Sequence, residues 1–549
     1  MKNHLIYSIL IALVVSLGGF LLGFDGAVIS GAVPFYRVSL NLADNPILLG
    51  LSVSSIVGGS IIGNFIAGAL SDKLGRKPAL LITSILFVLG ALGTALANDI
   101  SIFIISRIIG GLGVGIAILV APVYIAEIAP PAQRGKLVTF NQLNIVLGLS
   151  SAYFSNYFIL KLVENPELNW RWMLGIALIP AVAYFLLLLL IPESPRWLIQ
   201  KGREEEGVAV LKKAGGDIHA QSEFEKIKRS ITNSSNKLRP GFTELFSTNM
   251  RFVLMIGLAL AFFQQISGIN AVLYYAPLIF ETAGGGRDSA FLQSVILGVV
   301  FIAGTIVSMF LIDRLGRKPL LLAGISLMAA SLMVVGYSFH KATYTITEKS
   351  ITDISSAVQK ESILGEMENI RLYNAFSEIK NQQFNSELLF FNNIKALMYS
   401  NNISNVGEKF ESIKAIILNN SISINAFIVL AGILGFIIGF SISLGPVMWT
   451  MLSEIFPNRY RGMAISVAGT FNAITSFFVA SIFPVELDYL GSALTYFIFA
   501  GFMIIAILFV WKFVPETKGM SLEEIEKKLV PGLTPIKDTE ELDIPVYAH

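Results

Sequence analysis

The chain has 549 residues, of which 54% are hydrophobic and only 14% charged, with a mean hydropathy of +0.68. Soluble domains carry about 25% charged residues, so this composition excludes a soluble globular protein and points to one that crosses a membrane many times. The net charge of +2 gives no footing for a nucleic-acid partner, and the absence of Cys excludes disulfides, thiolate metal sites and cysteine nucleophiles.

Runs of about 20 apolar residues can span a bilayer. They fall at 7–30, 47–70, 79–97, 101–122, 139–161, 171–191, 252–280, 290–312, 320–338, 425–450, 462–485 and 491–513, which predicts twelve transmembrane helices. The first run is too long for the apolar part of a signal peptide and reads as an uncleaved helix. Connections after the second, fourth, eighth and tenth spans carry Lys73, Arg76, Lys77, Arg134, Lys136, Arg314, Arg317, Lys318, Arg459 and Arg461. The short connections on the other side hold only Arg37, Lys161, Arg171 and Arg287. Cytoplasmic loops are the basic ones, so both termini are expected in the cytoplasm.

The segment from Glu193 to Asn249, with Glu204-Glu205-Glu206 and Lys212-Lys213, reads as a few short amphipathic cytoplasmic helices. The tail resembles it over Leu522 to Leu529 and then reads as disordered. The seventh run holds Gln264, Gln265, Asn270 and Tyr274 in its interior. At 100° per residue they share one flank of a helix, and lipid cannot pair them. A sugar, with a hydroxyl on nearly every ring carbon, is one partner for such a surface; neighbouring helices, bonded across as packing glue, are the other. Gly268 among them gives the helix a place to bend or unwind.

The chain repeats itself. Asp72-Lys-Leu-Gly-Arg76-Lys-Pro recurs as Asp313-Arg-Leu-Gly-Arg317-Lys-Pro, an offset of 313 − 72 = 241. Glu127 with Arg134-Gly recurs as Glu454 with Arg461-Gly, an offset of 454 − 127 = 327, and Pro192-Glu193-Ser recurs as Pro515-Glu516-Thr. Two homologous six-helix halves follow. The jump in offset, 327 − 241 = 86, places an insert between the third and fourth helices of the second half. The expected layout is a first bundle over 1–191, a linker over 192–250, a second bundle over 251–338 and 425–513, an insert over 339–424 and a tail over 514–549. Apolar residues at helical spacing, such as Ile363, Met367 and Ile370, predict amphipathic helices for the insert. Without Cys and with a small core, it is expected to rest on the outer ends of its neighbours or on a partner, as a dispensable accessory cap.

Gly18-Gly19 to Asp25, Asp72 to Lys77, Arg107 with Gly110-Gly111, Pro192-Glu-Ser-Pro-Arg196, Gln264-Gln265 to Tyr275 and Pro515-Glu-Thr-Lys-Gly519 occur in that order. In combination they resemble the sugar porter branch of the major facilitator superfamily, and in particular its bacterial proton-coupled symporters. The resemblance covers nearly all of the chain except the insert. It implies an all-α membrane protein with two bundles around a midplane site that opens alternately to either side of the cell's inner membrane.

Asp25 and Arg107 are the ionisable side chains well inside the spans. A charge at a helix centre costs about 2.5–3.5 kcal/mol, and their depths agree, so they are expected to answer each other; a static ion pair is the alternative. The resemblance makes Asp25 the proton acceptor and Arg107 the residue that tunes it. It assigns the sugar to Gln142, Gln264, Gln265, Asn270, Tyr274, Gly445, Trp449 and Asn472. It assigns Asp72, Arg76, Glu127, Arg134, Glu193, Asp313, Arg317, Glu454, Arg461 and Glu516 to a network at the inner gate. Trp449 offers an indole to stack on a pyranose, and Pro446 beside Gly445 suggests a broken helix. Phe301, Ser476 and Leu149 depart from polar residues in relatives, which leaves the identity of the sugar open.

No nucleophile, metal cluster or phosphate loop is present in the sequence, so neither an enzyme nor a cofactor or metal is expected. The reading is symport of a monosaccharide with protons by a chain that works as a monomer in the bilayer, without nucleic acid. A facilitative uniporter and a sugar sensor that does not transport are the alternatives.

Overall fold

Eleven helices of the computed structural model, which describes residues 2–42, 45–130, 133–235, 242–247, 250–360, 363–457 and 459–529, are long and apolar enough to cross a membrane. The last of these, Arg461–Phe513, is two spans in one. At Gly491 the backbone turns to φ 76° and ψ 166°, outside any helical geometry, so the eleventh and twelfth expected spans meet there. The seventh span is a chain of three pieces, Arg251–Ile266, Ile269–Tyr274 and Ala276–Thr282. Gly268, at φ 84°, makes the first break, and Pro277 begins the third piece. The tenth span breaks at Ser443, two residues before Gly445, between Ala426–Ile442 and Leu444–Ile455.

Several helices run past the bounds of the sequence reading, among them the fourth to Ile128 and the fifth from Arg134, and two show the cause plainly. The first helix runs Lys2–Ser39, well past Ser30. Ser30 and Gly31 read as an end, but Tyr36 beyond them is fully buried, its ring 4.7 Å from Phe103 and its hydroxyl 2.9 Å from Ser52 Oγ. Tertiary packing thus carries the helix on, with Pro34 inside it. Asp25 accordingly lies well inside its helix, 14 residues before its end at Ser39 (39 − 25 = 14). The sixth span starts earlier than expected, at Pro166, because Asn165 caps it.

Basic connections and the described part of the tail lie at one end of the bundle, here the basic face; the insert lies at the other, the insert face. On the basic face the linker forms Pro195–Gln200, Glu204–Gly215 and Asp217–Ser235, held to the first helix where Ser8 Oγ donates to the Ala214 carbonyl at 3.2 Å. The expected disorder of the tail falls on residues 530–549, outside the described residues.

The insert folds around its own core, with Ile354, Phe376, Phe390, Phe410 and Ile413 at its centre. Four helices, Glu348–Lys360, Glu366–Glu378, Glu387–Ser400 and Val406–Ser421, agree with the amphipathic reading. A small antiparallel sheet was not expected: Thr343–Thr345 pairs with Gln383–Phe384 on one side and Ile422–Ser423 on the other. Strands of two or three residues are too short to leave an alternating pattern.

Hydrogen bonds joining the two halves directly, among the described residues, lie in the part of the helices toward the insert face. Ser54 Oγ lies 2.6 Å from Ser481 Oγ, Ser150 Oγ donates to the Gly298 carbonyl at 2.8 Å, Tyr153 Oη donates to Leu273 at 2.7 Å, and Lys161 donates to Asp288 at 2.5 Å. The halves therefore close on the insert face and are joined on the basic face through the linker, whose Glu244 accepts from Tyr460 at 2.8 Å.

Candidate functional site

The break at Gly268 frees the end of the first piece of the seventh span, and the two glutamines there turn toward the eleventh span. Gln265 Nε2 donates to Asn472 Oδ1 at 3.0 Å, and Asn472 Nδ2 donates to Gln264 Oε1 at 2.8 Å and to the Ala261 carbonyl at 2.9 Å. Gln264 Nε2 donates to the carbonyls of Leu444 and Gly445, at 2.9 and 3.3 Å, just beyond the break in the tenth span. Asn270 Nδ2, past the Gly268 break, donates to Gln265 Oε1 at 2.9 Å and to Ser476 Oγ at 2.6 Å. The glue and site readings of the sequence converge: the amides pair with one another across three spans, which answers their burial, and a sugar hydroxyl can exchange into the same donors and acceptors.

Of the residues assigned to the sugar, Gln264, Gln265, Asn270, Gly445 and Asn472 come together directly. Trp449 is 37% exposed, and a Cβ on Gly469 would lie 3.6 Å from its indole, so its ring lies over the same span one turn before Asn472. Gln142 stands exposed on the fifth span, in the other half, and makes no hydrogen bond to the amide cluster among the described residues. Ser476 was left out of the site by the sequence reading; its position one turn after Asn472 on the same face is the signal that would have found it.

Arg107 Nη1 donates to Asp25 Oδ1 at 2.8 Å and to the Asp25 carbonyl at 3.2 Å. The arginine side chain is 2% exposed and the aspartate 19%. Arg107 Nε and Nη2 are buried without a partner among the described residues, so only one arm of the guanidinium fork is in use there. Tyr274 lies beside this pair rather than in the amide cluster, since a Cβ on Gly26 would sit 3.5 Å from its ring.

On the basic face the repeated motifs build two matching clusters. Arg76 donates to both oxygens of Glu127, at 3.0 and 3.1 Å, and to Asp72 at 3.2 Å. Arg317 pairs with Glu454 at 2.8 Å and Asp313 at 3.3 Å. Glu193 accepts from the backbone N–H of Arg76, Lys77 and Ser194; Glu516 accepts from those of Arg317, Lys318, Thr517 and Lys518. Both cap a helix N-terminus, where the dipole favours a carboxylate. Burial pushes the Glu193 carboxyl up despite its N–H donors, whereas at Glu516 burial is outweighed by the N–H donors and the carboxyl is held below its ordinary range. Ser194 and Thr517, missed by the sequence reading, each donate to the glutamate of their cluster at 2.5 Å. Their signal was a hydroxyl at the same place in both repeats. The described pairs of each cluster stay within one half. Arg461 donates to the Phe456 carbonyl at 3.2 Å, and the side chain of Arg134 lies outside the described residues.

The family described as Sugar (and other) transporter matches residues 11–360 and 409–529. The chain is 35% identical to the arabinose-proton symporter of Bacillus subtilis and 32% identical to the D-xylose-proton symporter of Escherichia coli, each over 95% of both chains. It is similar to the xylose transporter of E. coli solved in a partially occluded inward-open conformation, with a TM-score of 0.68 and 30% identity over 94% of this chain and 99% of that one.

Proposed function

This chain belongs to the sugar transporter family of the major facilitator superfamily, a family of multi-pass membrane transporters and not of enzymes, and we propose that it carries a monosaccharide, a hexose or pentose, together with a proton. The Asp25–Arg107 pair is the observation that carries this reading. A carboxylate inside the membrane is costly, and this one is held by a single arm of a guanidinium whose other donors have no partner among the described residues. That arrangement suits a group that must let go: protonation neutralises Asp25, Arg107 loses its partner, and the helices that held the two are free to shift.

Sugar binds at Gln264, Gln265, Asn270 and Asn472, with Tyr274, Gly445, Trp449 and, from the other half, Gln142 completing the site. Its hydroxyls replace the bonds that the amides make to one another, and the Trp449 indole covers the apolar face of the ring. Tyr274, on the same short helix as Asn270, stands next to the proton site and couples the two. Asp72, Arg76, Glu127, Arg134, Glu193 and their second-half counterparts Asp313, Arg317, Glu454, Arg461 and Glu516 act as the inner gate. The basic face is cytoplasmic, both termini included, and the protein works as a monomer in the inner membrane.

Uptake of labelled D-xylose, L-arabinose and D-glucose into proteoliposomes, with and without an inward proton gradient, tests this. Accumulation of at least one sugar above its outside concentration only under the gradient is expected. Uptake indifferent to the gradient would make the protein a uniporter, and binding without uptake would make it a sensor.

A further inference from the structure

Arg37 closes the first span on the insert face, with its side chain 9% exposed. Its Nη1 lies 3.1 Å from Glu411 Oε2, and its Nη2 donates to the Glu411 carbonyl oxygen at 3.5 Å. Its Nε is buried and has no partner among the described residues. Glu411, 7% exposed, stands on the fourth helix of the insert. Phe410 and Ile413 on either side of it are buried in the insert's own core, which fixes where the carboxylate points. Burial pushes the Glu411 carboxyl up, but Lys414, Arg37 and Lys395 outweigh that and keep it ionised.

The pair spans more than two helices. Arg37 belongs to the first half, whereas the insert leaves the ninth span and returns to the tenth, both in the second half. Residues 361–408 lie outside the family match, which resumes at 409 just before Glu411; the repeat offsets place the whole of 339–424 as an insert, so this bridge between halves stands outside the repeat frame. Beside it, the Arg287 guanidinium of the second half lies over the Phe35 ring of the first at 5.1 Å and 3.6 Å from the buried Glu281. These charges meet where Ser54, Ser150, Tyr153 and Lys161 already join the halves. Opening this face separates Arg37 from Glu411, and breaking a buried ion pair is strongly disfavoured, even though Glu411 keeps Lys414 at 3.6 Å and Arg37 still faces the carboxylate of Glu281.

We propose that the insert is a latch: Glu411 captures Arg37 when the carrier closes on the insert face and biases the resting protein toward that state. The proposal rests on the alternating-access reading above, and it replaces the expectation of a dispensable cap. A ligand that favours the opposite state must supply the free energy to break the pair, because a ligand shifts an equilibrium only by its differential affinity for the two states.

The chain has no Cys, so spin labels at Glu167→Cys in the first half and Asp488→Cys in the second report the insert-face distance without background. Both residues are exposed. The full-length protein in nanodiscs is measured by double electron–electron resonance at pH 5.5 and 8, with and without D-xylose, L-arabinose or D-glucose. Glu411→Gln is expected to raise the long-distance, open population at least tenfold relative to wild type. Arg37→Met leaves Glu411 with Lys414, 3.6 Å away, so it keeps a folded protein available should Glu411→Gln prove unstable; it is expected to shift the same way. Arg37→Glu combined with Glu411→Arg is expected to restore the wild-type distribution. If wild type responds to pH or sugar while the single variants match it, the latch is wrong and alternating access stands. If wild type shows one distance under every condition, the alternating-access reading fails and the latch with it.

Discussion

Tyr274 packs against Gly26, the neighbour of Asp25, while Asn270 on the same short helix donates to Gln265. One helical piece of Ile269–Tyr274, loosened at both ends by non-helical residues, therefore touches the candidate proton site with one end and the candidate sugar site with the other.

Asp25→Asn should abolish accumulation of sugar against its gradient while sparing counterflow exchange. The amide mimics the protonated acid, so the carrier stays mobile but no longer picks up a proton. Proteoliposome uptake and exchange, measured side by side, check this. Full accumulation by the variant, or no alkalinisation of the medium when sugar meets wild-type cells, would refute the assignment.

Gln265→Ala removes the acceptor of Asn270 and a donor to Asn472, and a buried polar group left unpaired costs about 1–3 kcal/mol. Trp449→Ala removes a stacking surface. Each should weaken binding of the transported sugar more than tenfold by isothermal titration calorimetry. Unchanged affinity in both would move the site elsewhere.

Gly75→Ala should destabilise the basic face of the first half. Gly75 has φ 110°, and a Cβ there would sit 2.3 Å from Glu193 Oε2, the carboxylate that caps the third span. Strained backbone of this kind costs about 1–3 kcal/mol, so a lowered melting temperature in detergent and slower uptake are expected. Gly316→Ala, whose Cβ would meet Glu516 Oε2 at 2.8 Å, should do the same in the second half. Full stability in both variants would show that neither cap is tightly held.

The insert should be sensitive to acid in a defined window. The Lys409 ammonium, 2.6 and 2.7 Å from the oxygens of Glu368, and the hydroxyl and N–H of Ser404 hold that carboxyl down at about 2 against an ordinary 4.5. A depressed folded pKa contributes stability above the unfolded value and loses it as pH falls toward the folded one. Pepsin cleavage of the insert should therefore accelerate as pH drops from 4.5 to 2. In Glu368→Gln cleavage should be faster than wild type at pH 4.5, with the difference closing near pH 2. An equal, flat response in both proteins would rule the pair out as a support.

Hydropathy alone located the spans, because a bilayer demands an apolar run of fixed length, and the repeat offsets isolated the insert without any knowledge of its fold. Local readings failed where tertiary contacts decide. Ser30-Gly31 looked like an end until Tyr36 was found buried against Phe103. The helical-wheel flank shared by Gln264 and Tyr274 did not survive Gly268, whose positive φ swings Tyr274 away from the amides and toward Asp25. Ser476, Ser194 and Thr517 carried a positional signal but no chemical one, because a Ser or Thr hydroxyl commonly bonds nearby backbone, as Ser466 does to Gly462. The fold shows that these three reach side chains instead.

The pairing of Thr343–Thr345 with Ile422–Ser423 brings the two ends of the insert side by side. To the spans that flank it, the detour over residues 343–423 is therefore no longer than a hairpin turn, and the entropy of ordering it falls on the insert's own core rather than on the bundle. Such a unit is modular in the sense used for domain insertion: it can be transplanted as a block between the ninth and tenth spans of a related carrier, or removed from this one, without redrawing the path of either helix.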